Sequence, residues 1–429
     1  MRLIPCRTTR VASAIVLASA FMLILSSSPT VTISHAGTWN GSVESEDGVP
    51  HVKNPGTPIE GLATIQLKEQ WRRGTDDSEE VIFALLDDIA VDKDGNAYVL
   101  DSQLCEVQVF SPDGTYLRTI GRRGEGPGEF SRPRSVFITS DGLIAVAQSM
   151  PGKIVLLTPE GDAAGNHPLP ESDGMMVIQG ASTAGDQLIV HMRTTTMNDN
   201  QFVTDATEIV RLNRDGTIAA TLARSEHVTD FTRLEFNEKT LVPFSAMVGA
   251  VDGRAYVCDN FDAYAVRAWG TGGKLPRVIE REFEPRVRSK EERDRRGPLI
   301  RVQSDDGEMK TALTKSKTDR TVLNIFPREN GSIWVLSCRG AYDTADGELC
   351  TLDEFDADGH FVRQVRLMGD GNLDTDAIVI KGNRVFVLTD RSSARVAAMG
   401  AGSESEDDDD VAPMTVICYE LPEPPRVEG

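Results

Sequence analysis

The chain is short of the patterns that usually announce chemistry. It has six histidines and six cysteines in 429 residues and no C-x-x-C, which excludes a zinc knuckle and a thioredoxin-like redox pair. No G-x-S-x-G, H-E-x-x-H or P-loop occurs, and no paired-carboxylate spacing. The five histidines beyond residue 36 (His51, His167, His191, His227 and His360) fall at no metal-ligand spacing. Positive charge is also deficient. Lys and Arg number 45 against 66 Asp and Glu, a formal net charge of −21, which excludes nucleic-acid binding through a basic surface.

Long apolar runs are equally scarce. The single one, Val11–Leu25, follows Arg2, Arg7 and Arg10, is broken by Ser26–Pro29, and leads to the small residues Ser34-His35-Ala36 before Gly37. That order predicts a secretory signal peptide over 1–36, hence a periplasmic or secreted protein. Left uncleaved, the segment would tether the protein to a membrane; once it is removed no candidate span remains. Removal also takes the formal charge to −24, because the segment holds three arginines and no acid.

What the chain does have is Asp-Gly turns between short apolar runs. Ile89–Phe137 contains four such runs, Leu86–Val91, Ala97–Asp101, Glu106–Ser111 and Tyr116–Gly121, punctuated by Asp94-Gly95-Asn96 and Pro112-Asp113-Gly114. This is the signature of an antiparallel meander, since glycine supplies the positive φ that tight hairpin turns require. The turn recurs at Asp141-Gly142, Gly185-Asp186, Asp252-Gly253, Asn330-Gly331 and Lys381-Gly382, and GNAYVLD, GRAYVCD, GSIWVLS and NRVFVLT align with one another. Self-similarity at a period of about 45 residues, with four strands per unit, predicts a β-propeller.

The fold expected is therefore all-β: a six-bladed β-propeller of four-stranded antiparallel blades over 62–424. The blades fall at 86–121, 135–169, 176–222, 245–283, 322–367 and 376–421, with a helical insertion at 284–320. The last blade has three strands of its own. The isolated strand at 64–72, with Ile65, Leu67 and Trp71 alternating, is expected to supply its fourth, closing the ring and removing a sheet edge. Residues 37–61, rich in Gly, Pro and acids without periodicity, are expected to be a flexible leader. Cys338 and Cys350 flank a turn-rich stretch and are candidates for a disulfide, which export permits.

The opening unit resembles an NHL repeat. Asp92, Asp94-Gly95-Asn96, Tyr98, Val99, Asp101, Val107–Phe110 and Asp113-Gly114 match its strands and turns, and Gly121–Phe130 with Pro133 matches its G-R-x-G-x-G-P-G-E-F-x-x-P linker. The resemblance implies a secreted six-bladed propeller, a class that serves as ligand-binding scaffold, sensor or, less often, metal-dependent enzyme. Amidating-type lyases of this class put a zinc-binding histidine after the linker's F-x-x-P, where this chain has Arg134. Lactonase-type relatives hold calcium at the channel mouth, for which Asp87, Asp88, Asp101, Asp259, Asn260 and Asp262 are the acids and amide in range.

By this strand assignment the tight turns occupy the bottom face, while every long insertion (194–207, 284–320, 340–347 and 391–411) falls on the top, where binding is usually placed. The candidate binding residues are the linker arginines Arg122, Arg123, Arg132 and Arg134, positioned to meet an anion, together with Asp88, Asp101 and Asp259. Ser289-Lys290-Glu291-Glu292 forms a capping box that starts a short helix in the second insertion. The acidic run Glu404, Glu406 and Asp407–Asp410 lacks the glycine-spaced pattern of a calcium loop. The expected function is an exported, monomeric, non-catalytic scaffold that binds a small ligand or protein on its top face. No cofactor is required, with calcium the one left open, and the alternative is a metal-dependent propeller hydrolase, lactonase or lyase using carboxylates at the channel mouth.

Overall fold

The computed structural model describes residues 37–74, 81–197, 202–230, 236–271, 276–295, 302–303, 309–310, 313–400 and 414–422. The chain divides into two compact units, Met1–Thr32 and Ile33–Gly429, and the described residues all lie in the second. The expected signal peptide and the acidic run at 404–410 fall outside the described residues.

Four strands precede the repeats: β1 (Ser42–Glu46), β2 (Val49–Asn54), β3 (Leu62–Gln66) and β4 (Lys68–Arg73). Six meanders follow. The innermost strands are Leu86–Val91, Pro133–Ile138, Met175–Ala184, Ala246–Gly249, Val322–Pro327 and Ala377–Lys381, and each heads its own antiparallel sheet. The first strands of blades 1 to 5 touch one another in sequence, and that of blade 6 meets that of blade 1. Second strands such as Ala97–Asp101, Ile144–Gln148 and Ile333–Ser337 are buried at every residue, because both of their faces pack on other blades. That explains why the repeats read as unbroken apolar runs. Six apolar clusters fill the six gaps between adjacent blades. The protein is a six-bladed β-propeller.

β4 closes the ring by pairing antiparallel with Val416–Glu420, the third strand of blade 6. Trp71 on β4 packs so tightly over the bottom turn of blade 1 that a Cβ on Gly114 would lie 2.4 Å from its ring. The segment expected to be a single outer strand at 64–72 is in fact two. It breaks at Leu67, and β3 runs parallel to the fourth strand of blade 5 instead, Leu62 facing Gln364 and Gln66 facing Met368.

Residues 37–61 are not a flexible leader. β1 and β2 form a hairpin through Asp47 (φ 50°) and Gly48 (φ 80°), the two left-handed residues of a tight β-turn. β2 then adds in parallel to Arg277–Arg281, the outer strand of blade 4. Asn54 fixes it there. Its buried amide donates to the carbonyls of Glu280 (2.9 Å) and Gly359 (2.9 Å) and accepts from the Trp39 indole (2.9 Å) and the Phe361 amide (2.8 Å). The N-terminal segment is thus a strap along the outer edges of blades 4, 5 and 6.

On the top face four short helices occur among the described residues: α1 (Glu238–Leu241), α2 (Lys290–Arg295), α3 (Cys338–Tyr342) and α4 (Arg391–Gly400). The expected capping box starts α2: the Glu292 carboxylate accepts from the Ser289 amide (2.7 Å) and the Ser289 hydroxyl from the Glu292 amide (3.2 Å). Of the stretch at 194–207, residues 194–197 and 202–207 belong to the blade-3 strands Gln187–Met197 and Phe202–Leu212. Cys338 and Cys350 form no disulfide; both are buried free thiols. The Ser337 hydroxyl caps α3, so the chain leaves the sheet at Cys338 before it can face Cys350.

Candidate functional site

The channel mouth is shaped by a repeated irregularity. In blades 1, 2, 3 and 5 the innermost strand carries one extra residue near its top end. Pairing skips Asp87, Arg134, Gln179 and Leu323. Such bulges bend a strand and re-aim its side chains, and here they recur at matching places around the ring. Two of the four are charged, and they stand on neighbouring blades.

α4 comes down beside them from blade 6. The Ser392 amide donates to the Thr375 carbonyl (2.9 Å) and the Asp390 amide to Asp376 (2.9 Å), anchoring the helix start to the top of its own innermost strand. Arg391 reaches across to blade 1, donating from Nε to the Leu86 carbonyl (3.1 Å) and from a terminal nitrogen to Asp87 Oδ1. The Asp87 side chain is 3% exposed, and its other oxygen is buried without a hydrogen-bond partner among the described residues. Arg395 follows at i+4, on the same helix face. It is half-buried, and its pKa is pressed down, first by burial, then by Arg391 and Arg134, with Asp87 alone among these charges opposing. Arg391 thus contacts Asp87, and Arg395 lies within electrostatic reach of Arg391, Arg134 and Asp87.

Below the mouth, Asp88 ties blade 1 to blade 2 by accepting the Val136 amide (3.1 Å). Burial pushes its carboxyl up, and Lys381 works against that shift. The same inter-blade bond recurs where the Ser135 hydroxyl accepts the Ala181 amide (2.9 Å).

Of the candidates read from the sequence, Arg134 stands at this mouth, with Asp88 below it. Arg134 is exposed and has no hydrogen bond or ion pair among the described residues. Arg132 is also exposed, at a positive φ of 48°, and its carbonyl accepts from the Ser149 amide (3.0 Å). Arg122 and Arg123 are engaged within the linker region, Arg122 with Glu129 (2.7 Å) and Arg123 with the Gln103 carbonyl. Asp101 is wholly buried and accepts the amides of Ala84 (2.6 Å), Leu104 (2.8 Å), Gln103 (3.0 Å) and Leu85 (3.3 Å), so it stitches a turn. Asp259 pairs with Arg267 (2.7 Å) and Asp262 with Lys239 (2.7 Å). These carboxylates do not converge. Among the described residues no three His, Cys, Asp or Glu side chains are placed to hold one metal ion.

Arg391 and Arg395 were not among the sequence candidates. Their i, i+4 spacing was a readable signal, but it stood beside the acidic run, and nothing marked 391–400 as helical.

The ends of the long insertion are clamped to the top face. Arg288, 5% exposed, binds Glu238 of α1 (2.9 and 3.0 Å) and Asp319 (2.5 Å), while Arg286 binds Glu292 (2.6 Å), Asp319 (3.1 Å) and Asp343 (2.9 Å). Both arginines are paired, and Asp343 also pairs with Arg339 (3.0 Å).

Residues 78–234, which span the first three blades, match a family model described as a 6-bladed beta-propeller. The match agrees with the blade count and neither names nor contradicts an NHL repeat. No curated protein matches the chain. Among solved structures, a Bacteroides fragilis NCTC 9343 protein described as exported shares 12% identity, covering 84% of this chain and 100% of that one, with a TM-score of 0.46. Virginiamycin B lyase from Staphylococcus aureus shares 12% identity (83% and 99% covered, TM-score 0.39). The calcium-binding protein regucalcin from Agrobacterium tumefaciens shares 13% (85% and 99% covered, TM-score 0.43). At such identities these likenesses say nothing about activity.

Proposed function

We propose that this protein is an exported, non-catalytic propeller that holds a small ligand or a protein partner on its top face. The observation that carries the reading is the contrast in charge pairing. The pairs Asp262–Lys239, Asp259–Arg267 and Glu238–Arg288 on that face are closed, whereas the arginines at the mouth outnumber the one carboxylate in contact with them. A rigid ring with its spare charge at the channel mouth is suited to binding. Export is supported by the basic, apolar and small-residue order of residues 1–36.

The test is a ligand screen on the mature protein by thermal shift, with each hit mapped by hydrogen exchange. Protection is expected at 86–88, 132–136 and 389–398. Protection confined to the bottom turns would overturn the top-face reading, and chelator-sensitive hydrolysis of lactones would overturn the non-catalytic one. N-terminal sequencing of the secreted form should begin at Gly37.

A further inference from the structure

We propose that the mouth between blades 6, 1 and 2 is a site for a small ligand bearing a doubly charged oxyanion, gripped by Arg134, Arg391 and Arg395; this rests on the top-face reading above. Three elements converge there. Arg391 and Arg395 share one face of α4, a spacing at which like charges repel. Arg134 enters from the bulge in the first strand of blade 2. Asp87, from the matching bulge in blade 1, is the one carboxylate in contact with the group, and Arg391 already occupies one of its oxygens. Asp376 stands at the helix start, but its oxygens accept from the backbone amides of Asn372 (2.8 Å) and Asp390 (2.9 Å).

Counted over these four described residues alone, Arg134, Arg391 and Arg395 exceed Asp87 by two positive charges, within a chain whose net charge is −21. Arg395 is the informative member. It is half-buried, flanked by two other cations, and makes no hydrogen bond or ion pair among the described residues. An exposed arginine would spend its donors on water. One withdrawn from solvent beside like charges gains most from an oxyanion, whose oxygens match the planar fork of the guanidinium and cancel the excess. A monoanion would leave the group positive, whereas a phosphate monoester or a close pair of carboxylates would balance it.

The experiment is isothermal titration of the mature protein at low ionic strength with inorganic phosphate, sulfate and malonate, each repeated with added sodium chloride. One-to-one binding is expected, weakened by salt. Arg395→Gln and Arg134→Gln should each weaken it at least tenfold, while Arg224→Gln, on the outer strand of blade 3, should leave it unchanged. Retention of phosphate, sulfate and malonate affinity in the Arg395→Gln/Arg134→Gln double variant would overturn the proposal. The three ligands distinguish tetrahedral dianions from a dicarboxylate, and binding of any one supports the site. If none binds, yet a neutral ligand protects 132–136 and 389–398 from exchange, the anion assignment is wrong and the top-face reading stands. If ligands protect only the bottom turns, both fall.

Discussion

Asn54 accepts the backbone amide of Phe361 at 2.8 Å, tying the N-terminal strap to blade 5, while its own amide donates to the Glu280 carbonyl in blade 4 at 2.9 Å. One buried side chain thereby joins three separate stretches of chain, and its bonds to the Phe361 amide and the Gly359 carbonyl are buried away from water.

Asn54→Leu keeps the volume and removes the bonds. Each buried polar group left unpaired costs about 1–3 kcal/mol, so the urea midpoint should fall well beyond what lost packing explains. Deleting residues 37–61 should destabilise further, by exposing the edge of blade 4 that β2 covers. An unchanged midpoint in the deletion would show that the hairpin rests on the propeller without supporting it.

The Arg288 clamp makes a different prediction. Its two carboxylates, Glu238 and Asp319, are 1% and 2% exposed at the side chain. Removing one partner of such a buried network leaves charge uncompensated and costs about 3–5 kcal/mol. Arg288→Met should therefore lower stability by that order and open the 284–320 insertion to limited proteolysis, with cleavage there preceding cleavage within the blades. Resistance of the insertion in the variant would count against the clamp.

The ring was legible from the sequence because its determinants are local. A second strand buried on both faces must be apolar throughout, and a tight turn needs its glycine, so GNAYVLD and its kin announce themselves. The hairpin at 42–54 uses the same Asp-Gly signal, but β1 is exposed at all five residues, leaving no alternation to read. The bulges that set Asp87 and Arg134 at the mouth depend on register between strands, which has no sequence mark. Asp101 was legible as a repeat position and, in the structure, spends its carboxylate on backbone amides. Arg395 was hidden because its surroundings come from blades whose sequences lie far from it.

The cysteines give a chemical test of the same packing. Cys105, Cys258, Cys338, Cys350 and Cys418 are all buried and free. Burial raises the Cys258, Cys338 and Cys350 thiols and pushes Cys418 up to about 12, so little thiolate forms at neutral pH. A thiol reagent should find almost nothing in the native mature protein and five groups after denaturation without reductant. Three groups after denaturation would mean that two cysteines had paired.

His191 sets a pH dependence. It lies on the second strand of blade 3 with its ring edge-on to Phe244 at 5.4 Å, and its Nε2 is buried without a partner among the described residues. Burial, helped by Arg193, brings its pKa down to about 4 from the usual 6.5. The folded state therefore holds the ring neutral where the unfolded chain would protonate it. Between pH 6.5 and 4 the unfolded chain binds more protons, so stability falls as pH drops through that window, by up to about 3 kcal/mol. Above pH 6.5 both states are neutral and the contribution is flat. The raised carboxyl of Asp88 acts in the opposite sense, so the comparison must be between variants. Subtracting the stability profile of His191→Gln from that of the parent should isolate a slope confined to pH 4–6.5, read from urea midpoints. A difference profile that is flat across this window would show that His191 takes up its proton in the folded state as readily as in the unfolded chain.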